Sequence, residues 1–440
     1  MSCARRMEPH PRWCRTDRNM EALNSSYPPA SVQERIASAL VRARQRNRTL
    51  RAFVELDALG AMRRAAELDA LSADAHGPLH GVPVAVKEVI DAAGQPCAWG
   101  SPLHAGRRPA GNAALLQRLI DAGAVPIGIT ASTEYALAAA AATVHPRDAL
   151  RSPGASSSGS AAALGAGLVP LALGTQTIGS IIRPAAYCGV VGFKPSFGRY
   201  PTTGMLCLSA RLDHPGLLAA SVADVMAADH VLADSPAEVS GNTPLALRVL
   251  QPWFPEEVSA PVSSSLDACY QCLRGAGFGL DPLTIDADIV AVEAELTDIL
   301  LTYELAQRHG ATLRAAPAGQ VSAKLMAMVE RGDQVSAVRF DEAIAQQAAI
   351  SMRLNAMLRP GEVALAPATI GVAPLLAEGS GSRAPQRLWT LSGLPALTLP
   401  VGERDGLPVG VQLVGRLGED AALLQAAARV ESILRKRSND

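Results

Sequence analysis

Between Gly154 and Pro195 the chain places two serine-bearing, glycine-containing loops on either side of one helix and one strand. The first loop reads Gly154-Ala155-Ser156-Ser157-Ser158-Gly159-Ser160 and runs into a small-residue helix from Ala161 to Gly167. An apolar strand, Leu168 to Gly174, leads to the second loop, Thr175-Gln176-Thr177-Ile178-Gly179-Ser180. The stretch closes with Tyr187-Cys188-Gly189-Val190-Val191-Gly192-Phe193-Lys194-Pro195. Such an arrangement gathers hydroxyls and backbone N–H groups at one end of a sheet. Acyl transfer needs both, a nucleophilic oxygen and donors aimed at the oxyanion it creates. A base has to come from elsewhere, because the chain has no Gly-x-Ser-x-Gly elbow and no Ser-x-x-Lys.

The base candidate lies upstream, at the end of Gly81-Val82-Pro83-Val84-Ala85-Val86-Lys87. The chain has four lysines (Lys87, Lys194, Lys324 and Lys436) and thirty-six arginines among its 40 basic residues. A lysine at the end of an apolar run is informative against that bias, since a desolvated lysine can lose its proton and an arginine cannot. Two plainer readings compete: a lysine whose amine snorkels from a strand end, and one paired with Glu88.

With Lys87, the Ser156-Ser157-Ser158-Gly159-Ser160 loop and the Thr175 to Ser180 loop in this order, the chain resembles the amidase signature family. Trp389-Thr390-Leu391-Ser392-Gly393-Leu394-Pro395-Ala396-Leu397 carries the likeness further. The resemblance runs from about residue 30 to the C-terminus, with a signature core over 80–205. It implies a single α/β/α domain over 29–440, with a mixed central sheet flanked by helices and the site at the C-terminal edge of its strands. It also implies a Ser–cis-Ser–Lys triad in which Ser180 is the nucleophile, Ser156 the middle serine and Lys87 the base. Ser180 would attack an amide carbonyl, its proton passing to Ser156 and then to neutral Lys87, leaving an acyl-enzyme for water to release. Backbone N–H groups of Thr177, Ile178, Gly179 and Ser180 would receive the oxyanion. The activity implied is hydrolysis of a small linear carboxamide to acid and ammonia or amine, with no cofactor and no metal.

The family also includes the transamidase-type component of a glutamine-dependent tRNA complex, which is the alternative reading. A catalytically impaired member acting as a binding protein is a third. The chain departs from the family's usual pattern with Gln176 in place of aspartate and Ile178 in place of glycine. Its arginine is also moved one place on, to Arg183, with Ile182 before it, and Ala155 and Ser158 stand at usual glycine positions. A β-branched residue tolerates positive φ poorly, so the loop is expected to keep an extended or helical conformation at Ile178.

The 41 acidic and 40 basic residues give a net charge of −1, with no long run of like charges. That offers no footprint for nucleic acid or an anionic membrane. Seven scattered cysteines form no disulfide framework, which fits a reducing cytoplasm, and Cys269-x-x-Cys272 has no second pair or histidine beside it. The eight histidines lack metal-ligand spacing, so each is expected to be a surface or packing residue. Assembly as a homodimer is compatible with the sequence, and a small-molecule amide is the expected partner.

In chain order, residues 1–28 have no apolar periodicity and no secretory h-region, and are expected to be a disordered arm in which Met20 is a second candidate start. No segment has the length and apolarity of a membrane span. Residues 31–75 read as two helices, the first capped by Ser31 with Glu34 completing a capping box. A helix over 112–123 and a strand over 124–129 follow, and this alternation implies an α/β sheet. Residues 136–142 read as a helix or a pocket wall beside Glu134-Tyr135, and residues 196–218 as loop. Residues 221–233 read as helix, 245–310 as alternating strand and helix, and 339–358 as a long helix. Strands over 394–400 and 407–413 form a pair, and 415–436 is a terminal helix.

Overall fold

The computed structural model describes residues 31–233 and 245–437. The arm expected over 1–28 lies outside the described residues. A single 11-stranded mixed sheet runs through the molecule, built in the order β1-β3-β2-β4-β6-β5-β10-β11-β9-β7-β8. The strands are β1 (Phe53–Leu56), β2 (Pro83–Lys87), β3 (Val125–Thr130), β4 (Leu171–Gln176), β5 (Val191–Lys194) and β6 (His214–Ala219). The others are β7 (Ala246–Leu250), β8 (Leu280–Leu283), β9 (Glu362–Pro367), β10 (Ala396–Arg404) and β11 (Leu407–Val414). β2 lies parallel to both β3 and β4, so the C-terminal ends of β2 and β4 face the same edge of the sheet. β6 then enters antiparallel between β4 and β5.

Side-chain alternation decides which helices cover which face. Val84, Val86, Leu171 and Leu173 point into the larger apolar cluster, whereas Ala85 and Ala172 point into a second one on the opposite side. The alanine side leaves room for close helix packing. There α1 (Val32–Leu50), α2 (Ala58–Asp69), α4 (Ser158–Gly165) and α5 (Ile182–Cys188) collect against the sheet, while α3 (Ala114–Asp121) and α6 (Val222–Leu232) cover the other face. α4 lies so near the ends of β1 and β3 that a Cβ at Gly159 would come within 2.3 Å of the Ala52 carbonyl oxygen. The remaining helices are α7 (Ala260–Gly275), α8 (Ala287–Arg314), α9 (Ala323–Asp333), α10 (Ala337–Met357), α11 (Ala384–Leu391) and α12 (Asp420–Arg437). No helix among the described residues is long and apolar enough to cross a membrane.

The sequence expectations meet the structure closely at several elements. Ser31 caps α1 with Glu34 as the reciprocal partner, β10 and β11 form the antiparallel pair, and Cys269 and Cys272 lie in α7. Three local readings change. Residues 31–75 hold a strand, β1, between their two helices, because Phe53 to Leu56 finds an antiparallel edge on β3. The stretch read as loop up to 218 ends in β6, whose strand character comes from pairing with β4 and β5 on both sides. Residues 136–142 form no α-helix: a single 3₁₀ turn spans Glu134–Ala136, with Tyr135 and Ala136 at positive φ.

Candidate active site

Lys87 ends β2, and its side chain is wholly buried. Its Nζ lies 2.7 Å from Ser156 Oγ and 2.8 Å from Thr175 Oγ1, with the Thr175 carbonyl oxygen at 3.4 Å. Burial depresses the amine to about 7, against the smaller opposing pull of the Glu88 and Asp213 charges. The two plainer readings of this lysine therefore do not apply. Its amine does not reach solvent, and it forms no salt bridge with Glu88. The Glu88 carboxylate accepts instead from the Ser132 N–H at 2.6 Å, and burial raises its pKa. An amine held close to neutrality, with a hydroxyl 2.7 Å away, can take that hydroxyl's proton.

Ser156 precedes α4, and the Ala155–Ser156 peptide bond is cis. Arg183 fastens this turn: one guanidinium nitrogen donates to the Ala155 carbonyl at 2.7 Å and another to the Gly381 carbonyl at 2.5 Å. Burial lowers that guanidinium to about 10. The one-place shift of this arginine therefore still leaves it on the Ser156 loop.

Ser180 sits in the turn between β4 and α5 and is almost covered, at 9% exposure. The two serine loops are joined by the Ser157 N–H, which donates to the Ser180 carbonyl at 3.3 Å. Ser156 Oγ is hydrogen-bonded to Lys87, whereas no hydrogen bond joins it to the Ser180 hydroxyl. In this turn every carbonyl from 178 to 180 is engaged. Thr390 Oγ1 donates to the Ile178 carbonyl at 2.7 Å, Arg183 N to the Gly179 carbonyl at 3.1 Å, and Ser157 N to that of Ser180. The N–H groups of Ile178, Gly179 and Ser180 have no acceptor among the described residues. One turn thus presents donors while its acceptors are all tied back.

Gln176 builds that polarity. Its Oε1 accepts from the N–H groups of Ile181 and Ile182 at 2.9 and 3.1 Å, and its Nε2 donates to Thr390 Oγ1 at 3.0 Å. An aspartate here could accept but could not also donate to Thr390. Ile178 is not among the residues at positive φ, and its side chain packs into the larger apolar cluster. Thr177 turns its hydroxyl onto Asp213 Oδ1 at 2.7 Å. Asp213 is buried, which raises its carboxyl to about 6, although Thr177 and the N–H groups of Leu208 and Ser209 donate to it.

The structure thus brings Lys87 and Ser156 into contact and sets the turn holding Thr177, Ile178, Gly179 and Ser180 beside them. Sequence reasoning missed Thr175 as a partner of Lys87, although the parallel register that pairs Val86 with Leu173 leaves Lys87 beside the last residues of β4. It quoted Thr390 inside a motif without a task for it. Asp213 gave no signal, lying in a stretch read as loop.

The Amidase family model matches residues 34–269, more than half of the chain. The chain belongs to the amidase signature family. Among curated proteins this chain is 30% identical to the A-subunit of the glutamyl-tRNA(Gln) amidotransferase of Chloroflexus aurantiacus (strain ATCC 29366 / DSM 635 / J-10-fl), over 88% of its own length and 90% of the relative's. Among solved structures it is similar to an amidase at 28% identity and a TM-score of 0.84, over 94% of its own chain and 98% of the other. It also matches the peptide amidase from Stenotrophomonas maltophilia at 26% identity and a TM-score of 0.79, over 94% and 95% of the two chains.

Proposed function

We propose that this protein hydrolyses the C–N bond of a small linear carboxamide through an acyl-enzyme on Ser180. Neutral Lys87 takes the proton of Ser156, and Ser156 takes that of Ser180 as its oxygen attacks the carbonyl carbon. The oxyanion is received by the N–H groups of Ile178, Gly179 and Ser180, with Thr177 bracing the turn through Asp213. The relay then runs backward to protonate the departing nitrogen. Water repeats the cycle on the ester, leaving a carboxylic acid. The observation that carries this reading is the buried Lys87 amine, held near 7 and 2.7 Å from the Ser156 hydroxyl. An oxyanion donor of this kind is worth roughly 3–4 kcal/mol in the transition state.

A second reading is favoured by the curated relatives, which are named as the A-subunit of glutamyl-tRNA(Gln) amidotransferase at 27 to 32% identity over about nine-tenths of the chain. On that reading the carboxamide is that of glutamine, and partner proteins receive the ammonia. Both readings share the same first half-reaction. Ammonia release from a panel of simple amides and from glutamine, with Ser180→Ala and Lys87→Ala as controls, tests them together. Turnover lost in both variants supports the triad. Glutamine as the best substrate moves the amidotransferase reading ahead. No turnover, together with no labelling of Ser180 by a fluorophosphonate, overturns both.

A further inference from the structure

On the edge of the sheet that carries the Ser180 turn, the surface opens into a cavity of about 820 Å³. β4 and β5 both run antiparallel to β6, so they end on the same edge. β5 lies two places from β4 in the sheet, about 10 Å across at the usual strand spacing, and the cavity begins at Ser196, two residues beyond β5. Phe197, Phe340, Ile344, Leu391 and Leu417 give it apolar walls, and Phe197 and Leu417 remain 44% and 42% exposed. A smaller cavity of about 450 Å³ adjoins it, sharing Ser196, Phe197, Gly198 and Ala210, and reaches Asp213. None of Lys87, Ser156 and Ser180 lines either one.

Of the charged residues lining these two cavities, all but one are already held. Arg199 forks onto Asp229 at 2.6 and 2.8 Å, with Asp420 3.9 Å away. Asp420 also accepts from the Ser196 N–H at 2.7 Å. Glu304 accepts from the Ser209 hydroxyl at 2.5 Å and lies 3.7 Å from Arg308. Asp213 accepts from the Thr177 hydroxyl and from the N–H groups of Leu208 and Ser209. Lys194, in the field of Asp420, is buried and spends its amine on the Pro195 carbonyl at 2.9 Å. The exception is Arg211, half-buried on the wall of the larger cavity, whose guanidinium has no ion pair or hydrogen bond among the described residues.

Two walls of the larger cavity hold the Ser180 turn. On one side Leu391, Ser392 and Gly393 follow Thr390, which donates to the Ile178 carbonyl. On the other, Ala210 and Arg211 belong to the loop whose Leu208 and Ser209 N–H groups seat Asp213, the acceptor of Thr177. Gln347 of α10 spans the two: its Nε2 donates to the Leu391 carbonyl at 2.9 Å and to the Arg211 carbonyl at 3.5 Å. We propose that this cavity is a second ligand site, for an organic monocarboxylate with an apolar body, and that its occupancy acts on the Ser180 turn. The Arg211 fork takes the carboxylate, and the apolar walls take the carbon body. One unpaired cation matches one negative charge, whereas a phosphate dianion would meet Glu304 and Asp420 with too few cations to offset them. A ligand that fits best when both walls are in place shifts the turn toward its ordered form. The site stands apart from the reaction, and only the effect on turnover rests on the reading that Ser180 attacks an amide.

The probe is phenylacetate, with 2-phenylethanol as its uncharged counterpart and acetate as the charge without the body. Binding is read by titration calorimetry on Ser180→Ala and Ser180→Ala/Arg211→Leu, which needs no turnover, and melting temperatures confirm that each variant folds. Phenylacetate should bind the first and bind the second roughly 10- to 100-fold more weakly, the worth of one hydrogen bond to a charged group. Neither 2-phenylethanol nor acetate should match it. In wild type, phenylacetate should raise kcat for butyramide by about fivefold, the lower end of coupling between sites. Arg211→Leu should lose that response and keep the basal rate, and Gln347→Leu should keep the binding and lose the response. Equal binding to both Ser180→Ala proteins, or to neither, overturns the site. A rise in KM alone that persists in Arg211→Leu puts phenylacetate in the pocket of Ser180 and overturns it as well. A rise in KM alone that vanishes in Arg211→Leu makes the cavity part of the substrate pocket and overturns a separate site. If no amide is hydrolysed, the proposed reaction fails, and the calorimetry still decides the site.

Discussion

Wholly enclosed and with three oxygen contacts within 3.4 Å, the Lys87 amine loses its proton near 7 and not at its ordinary 10.5. Only the neutral amine can accept a proton, so kcat should rise with pH through a midpoint of about 7 and level off above it. The same shift has a consequence for stability. Between about 7 and 10.5 the unfolded chain binds a proton at this lysine that the folded chain does not, so its contribution to stability rises with pH across that window. Lys87→Met removes that dependence. Its melting temperature relative to wild type should therefore be higher at pH 6 than at pH 9, while its activity falls by at least about 10²-fold, the lower end of what general base catalysis supplies. A constant difference in melting temperature across this range contradicts a depressed lysine. The residue was visible in the sequence because one lysine ended an apolar run in a chain that otherwise uses arginine. Its partner Thr175 was not, because a side-chain contact across two strands depends on their register, which the local sequence does not state.

At the scale of elements, the turn between β4 and α5 depends on Gln176. Replacing it by leucine leaves the Ile181 and Ile182 N–H groups without their acceptor and the Thr390 hydroxyl without a donor. An unsatisfied buried group costs roughly 1–3 kcal/mol, so Gln176→Leu should lower the melting temperature by several degrees and kcat by more than tenfold. Gln176→Glu keeps the acceptor and loses only the donor, and should be milder in both measurements. Equal behaviour of the two variants would dismiss Gln176 as a brace. The sequence made the helices and the central strands plain because their apolar spacing is long and regular. β1 and β6 were hidden for a different reason. β1 is four residues with a glutamate in it, and β6 opens with His-Pro-Gly, so neither pattern announces a strand until its neighbours supply the ladder. The 3₁₀ turn at Tyr135 was equally hidden, since alanine-rich sequence favours helix and only the fold holds Tyr135 and Ala136 at positive φ.

Across the whole molecule, one continuous sheet carries both halves of the chain. β5, from the signature core, is paired directly with β10 near the C-terminus. An apolar cluster reaches from Leu79 to Val430 along it. We expect residues 31–437 to unfold in one calorimetric transition, with the calorimetric enthalpy equal to the van't Hoff value. Two resolved transitions would divide the chain into separate units.

The bond from Thr390 to the Ile178 carbonyl spans 212 positions, and that span has a meaning during synthesis. A ribosome adding about 5–20 residues per second needs roughly 10–40 s to travel from one partner to the other. Throughout that interval the nascent chain already contains Lys87, Ser156 and Ser180 but lacks the hydroxyl that ties back the Ile178 carbonyl in the turn of the proposed nucleophile. A chain stopped before Ala384 should therefore resist fluorophosphonate labelling despite carrying every residue of the proposed triad. On the proposed mechanism the chain would gain its chemistry only as its C-terminal stretch emerges, and fragments left by interrupted translation would be inert.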